Sequence, residues 1–178
     1  MTISKCCDAA IVALSAAALT GCLDAPADDA ELVDVAEQAV VTSRELRLVE
    51  IEALNLNEGG DEIFLTASRS ENENSINIIR PTVPNDYWRF DEINISHSMD
   101  KHVGTILMTG LLIVNLMEQD FGDDQEIGTI DFQLDHNGAV KLFNTPTGFS
   151  EGVDHLGRRQ VRFIGASADY RVWFKTVP

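Results

Sequence analysis

Cysteine is scarce in this sequence, and the positions of the few cysteines exclude several kinds of chemistry. The 178 residues contain three, Cys6, Cys7 and Cys22, all close to the N-terminus. Residues 23–178 contain no thiol. A disulfide within the domain, a cysteine-ligated metal and a cysteine nucleophile are therefore excluded. The stability of the domain must come from a hydrophobic core.

Positive charge is also scarce. Lys and Arg number 13 against 29 Asp and Glu, which gives a formal net charge of −16. Because a nucleic-acid-binding protein uses Lys and Arg to neutralise phosphates, this balance argues against a nucleic-acid partner. It also argues against adsorption of the folded surface to an anionic membrane. Hydrophobic residues make up 44% of the chain, so most of it can bury a core rather than stay disordered.

Apolar runs that approach the length of a membrane span are absent except at the N-terminus. There, Lys5 precedes an apolar stretch from Ala9 to Leu19, which is too short for a permanent span and typical of a signal peptide. The next residues, Leu19-Thr20-Gly21-Cys22, resemble the lipobox of bacterial lipoproteins, in which small residues precede a cysteine that carries diacylglycerol. The resemblance implies a signal peptide at 1–21 and attachment to a membrane through a lipid anchor at Cys22. An ordinary secretory signal with an incidental cysteine is the alternative.

The residues after Cys22 are expected to hold the domain away from the bilayer. Residues 22–43 form the predicted acidic linker, which contains six Asp and Glu residues among small ones and would be repelled by anionic headgroups. A short helix from Asp29 to Val40 is an alternative to a flexible linker. Leu23 beside the lipidated cysteine resembles the retention rule of enteric bacteria. It favours the outer membrane of a cell envelope over the inner membrane.

From residue 44 to 178 the hydrophobic pattern has a period of two. Leu46 and Leu48 alternate with polar residues, and the run Ile127–Leu134 alternates in the same way, as strands with one buried face do. Asp135-His136-Asn137-Gly138 predicts a hairpin with a type I′ turn. The run Ile106–Met117 predicts one central core strand, preceded by a polar loop at residues 96–102. Short strands at this spacing predict an all-β fold, an antiparallel β-sandwich of about eight strands.

Two segments resemble loops of C2 domains. Residues 112–128, LIVNLMEQDFGDDQEIG, combine an apolar strand, an acidic loop and an Ile-Gly that begins the next strand, as in that family's central strand and third loop. Residues 55–65, NLNEGGDEIFL, are similar to the family's first loop, in which a glycine-containing turn precedes an aspartate. The resemblance implies a C2-like sandwich that acts as a binding module.

The same resemblance implies a calcium site on these two loops. By position, Glu118 and Asp120 stand for the family's D-x-D pair, Asp124 or Asp123 for the later acid, and Asp61 for the acid of the first loop. Ca²⁺ takes about six to eight oxygen ligands, and it relieves the repulsion between crowded carboxylates. The chain departs from the family because Glu118 replaces an aspartate and because the acidic loop is short. Acidic turns without a metal are the alternative.

Evidence for an enzyme is thin in the sequence. His-Glu-x-x-His and Gly-x-Ser-x-Gly motifs are absent. Residues 96–102, SHSMDKH, contain Ser, His and Asp, but neighbours on one loop seldom face one another as a triad requires. We therefore predict a cell-envelope lipoprotein whose sandwich binds a partner under the influence of calcium, and we expect no enzymatic activity. A metal-free structural lipoprotein and a hydrolase with an unrecognised active site remain the alternatives.

Overall fold

The described part of the chain consists of β-strands joined by short turns. The computed structural model describes residues 41–57, 59–81, 87–120 and 123–178. The predicted signal peptide, Cys22 and nearly all of the predicted linker lie outside these residues. No helix in these four ranges could cross a membrane. The strands are β1 (Ser43–Asn55), β2 (Asp61–Arg69), β3 (Asn72–Ile79), β4 (Trp88–Phe90), β5 (Ser96–Leu107), β6 (Leu112–Glu118), β7 (Gln125–Leu134), β8 (Val140–Phe143), β9 (Gly148–Val153), β10 (Arg159–Gly165) and β11 (Ala168–Val177).

The strands form two antiparallel sheets that pack face to face. Sheet A has the order β5-β1-β11-β10-β9, and sheet B has the order β3-β2-β6-β7-β8 with the short β4 paired to β2. Alternate side chains of each strand point into the space between the sheets, as the burial of Tyr170, Val172 and Phe174 on β11 illustrates. Across that space, the rings of Phe132 and Phe174 meet edge to face at 5.4 Å. The predicted all-β antiparallel sandwich is confirmed, with eleven strands in the described residues rather than about eight.

The segment from residue 96 to 118 differs from the prediction. The expected single strand over Ile106–Met117 is wrong: β5 ends at Leu107, β6 begins at Leu112, and the two strands belong to different sheets. Gly110 lies between them with φ of +70°, a conformation that glycine adopts without strain. The expected polar loop at 96–102 is also wrong, because these residues form the first half of β5. An apolar run continues through a turn when the turn itself packs against the core, so hydrophobicity alone did not reveal the break.

The predicted turn between β7 and β8 is confirmed, but its type is not I′. The amide of Asp135 donates to the Ala139 carbonyl at 2.8 Å, and Gly138 has φ of +74°, while Asn137 does not have a positive φ. The carboxylate of Asp135 accepts hydrogen bonds from the amides of Asn137 and Ala139. These bonds favour a longer loop with one left-handed residue.

Two glycines allow the sheets to approach closely at one corner. A Cβ atom built on Gly148 of β9 would lie 2.0 Å from the Thr129 carbonyl oxygen, and one built on Gly165 of β10 would lie 2.1 Å from the Ile127 oxygen. Both oxygens belong to β7, so sheet B meets sheet A here through its backbone. Any larger side chain at these two positions would force the strands apart.

Candidate functional site

An open acidic cleft of about 1070 Å³ lies at one end of the sandwich. It is bounded by the turn before β2 and by the connection between β6 and β7. All five residues of the predicted calcium site line this cleft. The described residues that line it are Gly59, Gly60, Asp61, Glu62, Arg89, Glu118, Gln119, Asp120, Asp123, Asp124 and Gln125.

Two carboxylates form the buried floor of the cleft. Asp61 begins β2 and Glu118 ends β6, and these strands pair with Ile63 opposite Glu118. Both carboxylates occupy positions that face the interior of the sandwich, and each residue is only 1% exposed. Carboxylates are seldom buried so completely, because removing a charge from water is costly. Two buried carboxylates at the adjoining ends of β2 and β6 therefore require either hydrogen-bond partners or a bound ligand.

Asp61 has protein partners for its charge. Its Oδ2 atom accepts a 2.8 Å hydrogen bond from the hydroxyl of Tyr170 and a 3.1 Å hydrogen bond from the backbone amide of Asn57. Tyr170 belongs to β11 of sheet A, so this contact joins the two sheets beneath the cleft. Burial, followed by the hydrogen bond to Asp61, raises the pKa of Tyr170 well above its ordinary value. The hydroxyl therefore keeps its proton and remains a donor.

Glu118 differs from Asp61 in its contacts. Both of its carboxylate oxygens are inaccessible to water, and neither has a hydrogen-bond partner of good geometry in the described part of the chain. Burial raises the pKa of Glu118 to about 7, with a further contribution from the negative charge of Asp61. The side chain lines the cleft. It is thus a buried carboxyl group that adjoins an acidic cavity and whose ionised form is destabilised by burial and by Asp61 more than Asn57 stabilises it.

The three remaining predicted ligands lie at the rim. Asp120 is half-buried and accepts a hydrogen bond from the side-chain amide of Gln125, whereas Asp123 and Asp124 are exposed. Over the described ranges, no three His, Cys, Asp or Glu side chains are arranged to hold a metal ion. The fold therefore brings the five acids to one cleft but does not converge them on one point. Calcium binding stays a prediction.

The electrostatic character of the cleft is strongly negative. Arg89 is the single Arg or Lys among its described lining residues. Its guanidinium already contacts Asp91 at 2.9 Å and Glu62 at 3.7 Å. Concave surfaces lined by one sign of charge concentrate counter-ions. The arrangement favours a cationic ligand bound through carboxylate oxygens.

Sequence reasoning missed Tyr170 and Arg89 as residues of this site. No local pattern indicated that the Tyr170 hydroxyl reaches an aspartate 109 positions earlier in the chain. Arg89 lies on β4, and it reaches the cleft because β4 pairs with β2 next to Asp61. The sequence offered one indication of this position, namely a charged residue between the aromatic residues Trp88 and Phe90.

The Ser, His and Asp residues of segment 96–102 do not form a triad. His97 contacts the Arg89 carbonyl through Nε2 at 2.9 Å. Asp100 forms ion pairs with Arg47 at 2.6 Å and with Lys175 at 3.2 Å. These contacts join β5 to β4, β1 and β11 and bring no Ser, His and Asp side chains of this segment together.

Comparison with known proteins identifies similar solved structures only. No family model matches the sequence, and no curated protein matches it. A solved C2 domain is 7% identical with a TM-score of 0.34 and covers 77% of this chain and 99% of its own. A C2 domain of plant Extended Synaptotagmin 1 is 13% identical with a TM-score of 0.36 and covers 79% of this chain and 98% of its own. At these values, nothing about ligand or activity transfers from those domains to this chain.

Proposed function

We propose that this chain is a lipid-anchored protein of the bacterial cell envelope whose β-sandwich is a cation-dependent binding module. Cys22 carries the lipid, residues 22–43 connect it to the sandwich, and Ca²⁺ binds in the acidic cleft. The outer membrane is the favoured location, because Leu23 follows Cys22.

The buried carboxyl group of Glu118 is the observation that supports a cation in the cleft. A carboxylate buried without a hydrogen-bond partner costs several kcal/mol when it ionises. A divalent cation between Glu118 and Asp61 supplies the missing partner and removes the repulsion between the two groups. Because the cleft offers carboxylate oxygens rather than nitrogen or sulfur ligands, it suits a hard cation such as Ca²⁺.

The remaining acids complete this arrangement when the ion binds. Asp120 already influences Glu118 through its negative charge, and Asp123 and Asp124 are close by on the rim. Because these rim residues must move toward the floor, we expect an affinity below that of a preformed calcium site.

Thermal unfolding in calcium and in chelator tests the metal. Calcium at millimolar concentration should raise the unfolding midpoint of the full chain, because a ligand that binds only the folded state stabilises it. Asp120→Asn with Asp124→Asn should abolish the rise, whereas Glu92→Gln, an exposed acid outside the cleft lining, should retain it. If the midpoint of the unsubstituted chain is the same in calcium and chelator, the sandwich is a metal-free structural or binding domain.

Metabolic labelling with a clickable fatty acid tests the anchor separately. The chain expressed in bacteria should incorporate the label, and Cys22→Ser should not. Recovery of an unlabelled chain that retains residues 1–21 would contradict the lipoprotein assignment without affecting the calcium result.

A further inference from the structure

A second concave surface, which we name the side groove, lies at the opened edge of the sandwich. It has a volume of about 450 Å³ and lies between strands β2, β3 and β6 of sheet B and strand β5 of sheet A. This volume is within the range of about 300–1,000 Å³ that is usual for small-molecule sites. The side groove shares no lining residue with the acidic cleft.

The described lining of the side groove differs in composition from the acidic chain as a whole. None of its described lining residues is Asp or Glu, although the chain has 29 such residues. Arg69 is its one Arg or Lys, and His102, also in the lining, is already 3.0 Å from Glu45 through Nδ1. Arg69 is therefore the positive charge in the described lining that an anionic group would meet.

The guanidinium of Arg69 is available to bind an anionic group. Arg162 and Arg171 on sheet A each contact two carboxylates, whereas Arg69 forms no ion pair with any described residue. Its Nη2 atom donates a long hydrogen bond of 3.4 Å to the Thr105 carbonyl, which holds the guanidinium across the groove. A guanidinium has five N–H donors in a planar fork, so most of its donors remain unused.

Neutral hydrogen-bonding groups surround Arg69. Asn77 donates through Nδ2 to the Val103 carbonyl at 3.0 Å, which fixes its side chain across the two sheets and leaves its Oδ1 atom as an acceptor. Asn72 and Ser75 line the same groove from β3 and are exposed. Amides and hydroxyls of this kind bind the hydroxyl groups of a polar ligand.

We propose that the side groove binds a small polyhydroxylated ligand that carries an oxyanion, such as a sugar acid. Arg69 binds the oxyanion, and Asn72, Ser75 and Asn77 bind the hydroxyl groups. This site is independent of the calcium cleft and of the lipid anchor. The ligand is anionic because Arg69 forms no ion pair with any described residue and none of the described lining residues is Asp or Glu.

Titration with three probes tests the proposal on the full chain in detergent. Glucuronate tests the complete ligand, glucose tests the hydroxyl groups alone, and inorganic phosphate tests the oxyanion alone. The readout is the NMR signals of the Asn72 and Asn77 side-chain amides, recorded in chelator so that the calcium cleft is not involved. Glucuronate should shift both signals and bind at least about tenfold more tightly than glucose, since a charge-assisted hydrogen bond is stronger than a neutral one.

Variants separate the role of Arg69 from general charge effects. Arg69→Met should weaken glucuronate binding by about tenfold or more, and Arg69→Lys should fall between, because lysine keeps the charge without the planar fork. Asn72→Ala, an exposed change that leaves Arg69 in place, should weaken glucuronate more than phosphate. Lys141→Met removes one exposed positive charge on β8 and should have no effect. The proposal is overturned if glucuronate shifts neither amide, if glucose binds equally well, or if Lys141→Met weakens binding as much as Arg69→Met does.

Discussion

The hydroxyl of Tyr170 donates a 2.8 Å hydrogen bond to Asp61 Oδ2, and this bond crosses from sheet A to sheet B beneath the acidic cleft. The ring of Tyr170 also meets the ring of Phe90 edge to face at 5.3 Å. Phe90 in turn pairs with Asp61 across strands β4 and β2. The floor of the cleft is thus held by one polar and one aromatic contact, both between strands that are distant in the sequence.

Removing the Tyr170 hydroxyl should destabilise the fold. Tyr170→Phe keeps the buried ring but leaves Asp61 with one fewer donor in a buried site, which costs about 1–3 kcal/mol. The free energy of unfolding in urea measures the effect. Tyr87→Phe is the matched control, because the Tyr87 hydroxyl contacts Gln119 in a more exposed position and its loss should cost less. Equal losses in the two variants would contradict a special role for the contact between the sheets.

Glu118 should make the stability of the calcium-free chain fall as the pH rises. Its pKa is raised to about 7 in the folded state, from an ordinary value of 4.5. Between these two values the unfolded chain has lost the proton that the folded chain retains, so ionisation favours unfolding. The stabilisation is complete below about pH 4.5 and is lost progressively up to about pH 7, by up to about 3 kcal/mol.

Urea unfolding across this pH range in chelator, with and without Glu118→Gln, measures that contribution. Glutamine does not titrate, so the variant should lose the downward slope that Glu118 adds between about pH 4.5 and 7. The pKa of Asp131 is also raised by burial, although this residue lies outside the cleft. Its contribution to the pH dependence of stability should therefore remain in Glu118→Gln. Parallel pH profiles for the unsubstituted chain and Glu118→Gln would show that Glu118 is not the titrating group.

Substitutions in the turn between β10 and β11 should increase the stability of the fold. Ala166 and Ser167 have φ of +49° and +65°, and left-handed conformations at residues other than glycine cost about 1 kcal/mol or more each. Ala166→Asn with Ser167→Gly places Asn-Gly in a turn that requires positive φ at both residues, and it should raise the free energy of unfolding by about 1–2 kcal/mol. The Ser167 carbonyl, which accepts a 2.7 Å bond from Asn55, is a backbone group and is kept.

The opposite substitution serves as the control for this turn. Ala166→Val adds a β-branched side chain at positive φ, so it should lower the unfolding midpoint while Asn-Gly raises it. Both variants should keep the same far-ultraviolet circular dichroism spectrum. A lower midpoint for the Asn-Gly variant would contradict the assignment of strain to this turn.

The close approach at the corner of the sandwich predicts a large penalty for adding one methyl group. Gly148→Ala and Gly165→Ala each place Cβ within about 2 Å of a β7 carbonyl oxygen, and the backbones must separate. We expect a loss of about 2–4 kcal/mol for each variant in chemical unfolding. Gly59→Ala is the matched control, since a Cβ there meets nothing within 4 Å among the described residues. A stability of Gly148→Ala similar to that of Gly59→Ala would mean that the two sheets are not in backbone contact.

The candidate site was predictable in its residues but not in its geometry. Asp61, Glu118, Asp120, Asp123 and Asp124 were identified because acids beside turns at strand ends resemble a known loop pattern, and all five line one cleft. The burial of Asp61 and Glu118, against the exposure of Asp123 and Asp124, depends on which side of each strand faces the opposite sheet. The side groove had no signal in the sequence, because its lining combines β2, β3 and β6 of one sheet with β5 of the other.

The amino-acid sequence by itself determined the class of the fold. A period of two along β1, β7 and β11 is a local property, and it requires each strand to bury one face, which two stacked antiparallel sheets satisfy. The assignment of β5 and β6 to different sheets, the contact of Tyr170 with Asp61 and the burial of the Glu118 carboxyl were decided only by the tertiary structure. These features depend on strand pairing between residues far apart in the chain, where the packing of the whole core, and not any local pattern, determines which alternative is most stable.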